Sequence, residues 1–244
     1  MGDRSIVRRE RRHARGAVAM VVIAVTMVCG MLTTATAWAG AIKGHVRFAG
    51  PPSPPKMVPI TTDQYVCGKE KDAEDLIVSP ENKGIRNAVV WLTSPPPDAK
   101  PAAKVPVSID QKQCNFAPRV VVVPVGGTVD FLNSDRLLHN IHSQSKANQS
   151  FNRTQPKGRA IPITFTKPEI IKIDCDLHSW MRAWVVVAEH SFYAITGANG
   201  EFALGSVPAG TYNLSIWQET LGTITKDVTV GEGDATVVVE MGRP

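Results

Sequence analysis

This chain of 244 residues lacks helical periodicity. No long segment repeats its apolar residues every three or four positions, which excludes a helical architecture. It also lacks a second long apolar run after the one near its N-terminus, so nothing downstream reads as a membrane span. Cysteine is sparse, at four. None sits in the C-x-x-C-H run that attaches haem. The zinc-peptidase signature H-E-x-x-H is missing as well.

The N-terminus carries an export pattern. Six Arg stand against Asp3 and Glu10 within residues 1–15, followed by the uncharged run Ala17 to Leu32 and then "ATAWAG". A basic region, an apolar region and a small-residue site in that order predict a secretory signal peptide over residues 1–39, cleaved before Gly40. The competing reading, an uncleaved anchor, is disfavoured because the run is short for a span. Val28 before Cys29 argues against a lipoprotein site, and "RRERR" is only a weak twin-arginine signal. The expected compartment is the periplasm or the exterior. The whole chain is formally +5, but removal of the arginine-rich segment leaves about +1. No basic patch remains to argue for nucleic acid.

Without Cys29, three cysteines remain: Cys67, Cys114 and Cys175. An oxidising compartment permits disulfides, and an odd count leaves one thiol to explain. Cys175 lies among metal-friendly residues, so Cys67–Cys114 is the expected pair. It would close a loop of about 46 residues and contribute on the order of 3–4 kcal/mol.

What the chain does have is strands. "AIKGHVRF", "NAVVWL", "RVVVVPVGGTVDFLN", "ITFTKPEIIKIDC", "AWVVVAE", "YAITG", "GEFALGSV", "GTYNLSIW", "KDVTVG" and "ATVVVEM" are short, β-branched and often alternating. "GANGEF" and "VPAGTY" read as turns, and the proline clusters at 51–55 and 95–97 as loops or linkers. "CGKEKDAEDL" reads as a short helix or loop. The fold class is all-β, with strands at the spacing of sandwiches.

The chemistry concentrates in "CDLHSWM", where Cys175, His178 and Met181 recur three residues apart. A tight loop between two strands would present all three on one side. Thiolate with imidazole selects copper or zinc. One Cys, two His and a weak Met form the blue-copper set, whereas zinc prefers four firm ligands. A further imidazole must come from "VDFLNSDRLLHNIHS", with His139 and His142 as candidates. Cys175, His178 and Asn140 also have the residue types of a thiol-nucleophile enzyme, but Met181 and the β context favour a metal, and no enzymatic activity is expected. A paired-copper centre would need a second Cys in the loop. A second copper type would need further histidines, and His45, His142 and His190 form no His-x-His pair.

Two resemblances organise these observations. "GGTVDFLNSDRLLHNIHS…FTKPEIIKIDCDLHSWMRAWVVV" resembles a cupredoxin, with a ligand loop of the amicyanin type, over roughly Val105 to Glu189. The resemblance implies a Greek-key sandwich holding one mononuclear type 1 copper, with His139, Cys175, His178 and Met181 as ligands. It makes Asn140 the residue that ties the ligand loops together and gives His142 no ligand role. It also implies an exposed edge on His178, ringed by Leu177, Trp180 and Met181, as the electron port. Trp180 and Trp184 are read as packing residues. The flanking motifs "KGHVRF", "NAVVWL", "GEFAL" and "PAGTYNL" resemble a carboxypeptidase regulatory-like, transthyretin-type sandwich, with Trp217 in its core. The implied organisation is the signal at 1–39, the first half of that sandwich plus a linker at 40–104, the cupredoxin domain at 105–189 and the second half at 190–244. One alternative is three consecutive small β-units, and another is a single large sandwich.

The expected function is one-electron transfer between redox partners such as a cytochrome or a dehydrogenase. Two rivals remain. One is copper binding for delivery or sequestration, and the other is a structural or interaction module with a vestigial site.

Overall fold

The computed structural model describes residues 39–51 and 54–244. The expected signal peptide, up to residue 38, lies outside the described residues. Ala39 opens the first strand. In chain order the elements are β1 (Ala39–Phe48), β2 (Met57–Pro59), α1 (Gln64–Cys67), β3 (Glu70–Asp72), β4 (Val89–Leu92), β5 (Val107–Lys112), β6 (Asn115–Ala117), β7 (Val120–Pro124) and β8 (Gly127–Asn133). They continue with β9 (His139–Gln144), β10 (Asn152–Gln155), β11 (Ile161–Phe165), β12 (Glu169–Asp174), β13 (Arg182–Ala188), β14 (Tyr193–Ile195), β15 (Glu201–Pro208), β16 (Gly210–Gln218), β17 (Gly222–Val230) and β18 (Ala235–Met241). The fold is all-β. No helix among the described residues is long and apolar enough to cross a membrane.

Alternation decides which face each strand buries. In β8, Val129, Phe131 and Asn133 point inward while Thr128 and Asp130 point out. β8 belongs to a four-stranded sheet, β11-β8-β5-β6, that faces a five-stranded sheet, β10-β9-β12-β13-β7. Their shared core includes Ile109, Phe131, Ile141, Phe165, Ile173 and Val185. A second sandwich pairs β15-β1-β18 with β14-β4-β16-β17 around Ile42, Val46, Leu92, Leu204, Leu214 and Val239. In the chain, β1 and β4 precede the strands of the first sandwich and β14 to β18 follow them. β1 lies between β15, antiparallel, and β18, parallel. The turn in "GANGEF" brings Gly200, at φ 77, so close to the Val46 carbonyl that a Cβ would collide with it, so only glycine fits there.

Between β1 and β4, β2 and β3 pair as a hairpin with α1 at its tip. The helix lies before "CGKEKDAEDL" and ends at its first residue, Cys67; the stretch read as a short helix or loop instead forms β3 and then irregular backbone. Ile60 and Cys67 are buried in the first sandwich's core, and Cys67 is bonded to Cys114, 47 positions away.

The sandwiches meet along a seam of Val89, Val120 and Val186, flanked by Trp91, Trp184, Tyr193 and Trp217. Trp184 meets Trp217 edge to face at 4.8 Å. Trp217, expected in the core of the second sandwich, lies in this seam instead. It sits on the face of β16 opposite to Leu214 and Ile216, and that face is covered too. Arg119, before β7, bridges to Glu219, after β16, through Nε at 2.5 Å and a second nitrogen at 3.0 Å. Both side chains are nearly buried. Removing one partner of a buried pair strands the other charge. Arg119→Ala should therefore cost about 3–5 kcal/mol, measured by urea unfolding, and Arg119→Met combined with Glu219→Leu should recover most of that loss.

Candidate metal centre

β12 and β13 pair to the end of their ladder, Asp174 opposite Arg182, leaving six residues and Met181 to turn the chain. The loop is tight. The His178 amide donates to the Cys175 carbonyl at 3.3 Å, the Met181 amide to the His178 carbonyl at 2.9 Å, and the Cys175 amide to the Met181 carbonyl at 3.3 Å. Residues three apart therefore share one side. Cys175, His178 and Met181 are each 1% exposed, while Asp176 and Leu177 face solvent.

The other histidine arrives from β9, which pairs with β12. A buried polar network sets the approach to it. Asn133 Nδ2 donates to the carbonyls of Leu137 and Gln155, and Asn133 Oδ1 accepts from the Asp135 amide. This fixes the segment that delivers Asp135 and then His139, which is fully buried. His139 Nδ1 lies 2.9 Å from His178 Nδ1, and Cys175 Sγ lies 3.6 Å from the same His178 nitrogen. Single donor atoms of His139, Cys175 and His178 all fall within 4.8 Å of one another. Met181 is buried at the foot of the loop, in the same core.

Asn140 joins the two segments. Its amide donates to Cys175 Sγ at 3.5 Å, and its Oδ1 accepts from the Asp176 amide at 2.6 Å. His142 is not part of the converging group. It is one-third exposed and bonds through Nδ1 to Asp176 at 2.9 Å. The hydrogen bonds from His142 and Asn152 hold the Asp176 carboxyl below its usual range. His190 is buried in the second sandwich, where its Nδ1 accepts from the Phe192 amide. Trp180 packs on the His178 ring at 5.1 Å and donates to the Cys114 carbonyl at 3.0 Å, as a packing residue would.

Two carboxylates complete the arrangement, and neither was expected from the sequence. Asp135 Oδ2 accepts from His139 Nε2 at 2.9 Å, and its oxygens also accept the Cys114 and Gln113 amides at 2.7 and 2.6 Å. Asp63 Oδ2 accepts from His178 Nε2 at 2.9 Å. Asp135 left one sequence signal, its position four residues before a candidate ligand. Asp63 left none. The expected port is corrected by the same contact: His178 has no exposed edge, because Asp63 covers it. The exposed apolar residues next to the histidines are Leu177 and Leu138 instead.

The donor set fits a soft cation. With the Nε2 hydrogens directed at Asp63 and Asp135, the Nδ1 atoms of both rings face each other beside Cys175 Sγ. Burial lowers the His139 pKa, against the pull of Asp135 and with the push of His178, which favours the neutral imidazole that a ligand must be. Burial raises the Cys175 thiol, against the pull of the Asn140 amide, so a thiolate needs a cation beside it. The carboxylates face the far ring nitrogens, and the described residues add no fourth firm donor for zinc, whereas one thiol, two imidazoles and a methionine in the same loop suit copper.

A family model described as polysaccharide lyase family 4, domain II, matches residues 153–238, from β10 to β18. The description is not the carboxypeptidase regulatory-like one that the flanking motifs resemble. No curated protein matches the sequence. Among solved structures, the chain is similar to a copper-containing nitrite reductase from Thermus scotoductus SA-01, at 28% identity and a TM-score of 0.33, over 35% of this chain and 23% of that one. A purple cupredoxin from Nitrosopumilus maritimus is 24% identical over 34% of this chain and 99% of its own, at a TM-score of 0.30. An amicyanin variant in its reduced Cu(I) form is 23% identical over 41% and 98%, at a TM-score of 0.32. The chemical reading of the site rests on its own geometry.

Carboxylates behind metal-bound histidines typically carry 10–100-fold in metal affinity. Asp135→Ala should lower copper affinity by about that factor in a chelator competition. It should also destabilise the metal-free protein, because two amides and His139 lose their acceptor.

Proposed function

We propose that the protein is an exported carrier of single electrons with one mononuclear type 1 copper, and not an enzyme. The observation that supports this is the convergence of Cys175 Sγ with Nδ1 of His139 and of His178 in a pocket closed to water. Copper bound there would supply a one-electron Cu(I)/Cu(II) couple. His139, Cys175 and His178 would hold it, with Met181 as the weaker fourth ligand. The chain's own contribution is rigidity. Asp135 and Asp63 fix the tautomer and tilt of each ring, and Asn140 ties the thiol loop to β9. These constraints resist rearrangement when the charge at the site changes.

The compartment is the periplasm or the exterior, after cleavage near Ala39–Gly40. The partners are redox proteins such as a cytochrome or a dehydrogenase. Leu138 and Leu177, each next to a ligand histidine in the chain and about half exposed, offer them an apolar contact. On its motifs alone, the second sandwich is of the carboxypeptidase regulatory-like type, and it orients the copper half through the seam. One observation favours a second reading, copper holding for delivery or storage: the His178 edge that would pass electrons outward is covered.

Addition of Cu(II) to the purified protein should produce an intense band toward the red end of the visible spectrum, and Cys175→Ser should abolish it. A colourless Cu(II) complex, or no binding, would overturn the electron-carrier reading.

A further inference from the structure

The hairpin β2–α1–β3 is not needed to close either sandwich. Its tip nonetheless lies on the candidate metal centre. Asp63 occupies the N-cap position of α1, where an aspartate ordinarily turns its carboxylate back to the helix amides. Here it makes no such bond, and its backbone is left-handed at φ 53. The carboxylate instead bonds to His178 Nε2, 115 positions away. A residue that gives up its local bond and adopts an uncommon backbone conformation marks a contact that outweighs both.

The tether is equally specific. Cys67, the last residue of α1, is bonded to Cys114. The Cys114 amide holds Asp135, and its carbonyl accepts from Trp180, which packs on His178. One disulfide thus joins the segment carrying Asp63 to the turn whose amides hold Asp135, and each carboxylate backs one histidine. Ile60, at the other side of the tip, is buried in the same core.

We propose that Asp63 is a positioning residue for His178, and that the disulfide-tethered hairpin is a cover that seals this histidine and governs how fast metal leaves the site. The metal half of the proposal rests on the copper reading above. The sealing half concerns the metal-free chain and stands without it.

The test treats metal-free protein with diethyl pyrocarbonate, which acylates accessible imidazoles, and reads each histidine by peptide mass spectrometry. His178 should react at least about tenfold more slowly than the part-exposed His142. Asp63→Ala, and separately Cys67→Ala with Cys114→Ala, should bring His178 toward the rate of His142 and leave the rate of His142 itself unchanged. In copper-loaded protein the same variants should release Cu(I) to a chelator about 10–100-fold faster, with Asp63→Asn in between because it keeps an acceptor. If the cysteine variant fails to fold, Asp63→Ala and Asp63→Asn carry the test. The proposal is overturned if His178 in the unaltered protein reacts as fast as His142, or if Asp63→Ala changes neither its reactivity nor copper release. A chain that takes up no copper but loses His178 protection in Asp63→Ala keeps the cover and removes the copper reading. A chain that shows the visible band but is indifferent to Asp63 does the reverse.

Discussion

The convergence of two buried imidazoles on a buried thiol is the constraint on which the rest depends: His139 Nδ1 lies 2.9 Å from His178 Nδ1, and Cys175 Sγ lies 3.6 Å from the latter. Buried polar atoms are ordinarily paired, so each ring needs a partner at its far nitrogen as well, and a carboxylate supplies it. The Asn133 and Asn140 contacts also hold the flanking segments in place. The arrangement is thereby preorganised.

That preorganisation reaches beyond the nine strands around the site. Asp63 comes from a hairpin lying between strands of the other sandwich in the chain, yet it packs into the first core. On the far side, the Arg119–Glu219 pair and the Trp184–Trp217 contact fix the second sandwich against β7 and β13. β13 follows directly from Met181, so the loop that carries three of the four candidate ligands leads into an element packed on both faces.

Much of this was legible in the residues. The three-residue spacing of Cys175, His178 and Met181 is a local pattern, and a tight loop turns it into a shared side. Counting cysteines isolated Cys67–Cys114. Alternation located the strands that bury a face. It missed β6 and β10, which lie at sheet edges and bury too little to need a pattern. β5, "VSIDQK", buries Gln111 in a polar network and so does not read as apolar. Trp217 was misplaced because alternation shows which residues share a face but not that both faces are covered. Asp63 and its cover were invisible for a different reason. A hydrogen bond spanning 115 positions leaves no periodicity, and an aspartate before a short polar helix looks like an ordinary cap.

The position of β1 has a consequence for how the molecule is made. It pairs with β15 on one side and β18 on the other, and Asp234 accepts from the Ala41 amide across 193 positions. Before those strands emerge its backbone partners are limited to the short bridge at Lys83, Gly84 and Ile85, and both of its long ladders wait until almost the whole chain exists. Distant pairings of this kind are slow to form, whereas β5 to β13 find their partners within their own stretch. The sandwich that carries the candidate metal centre can assemble from its own strands before β1 gains its ladders with β15 and β18.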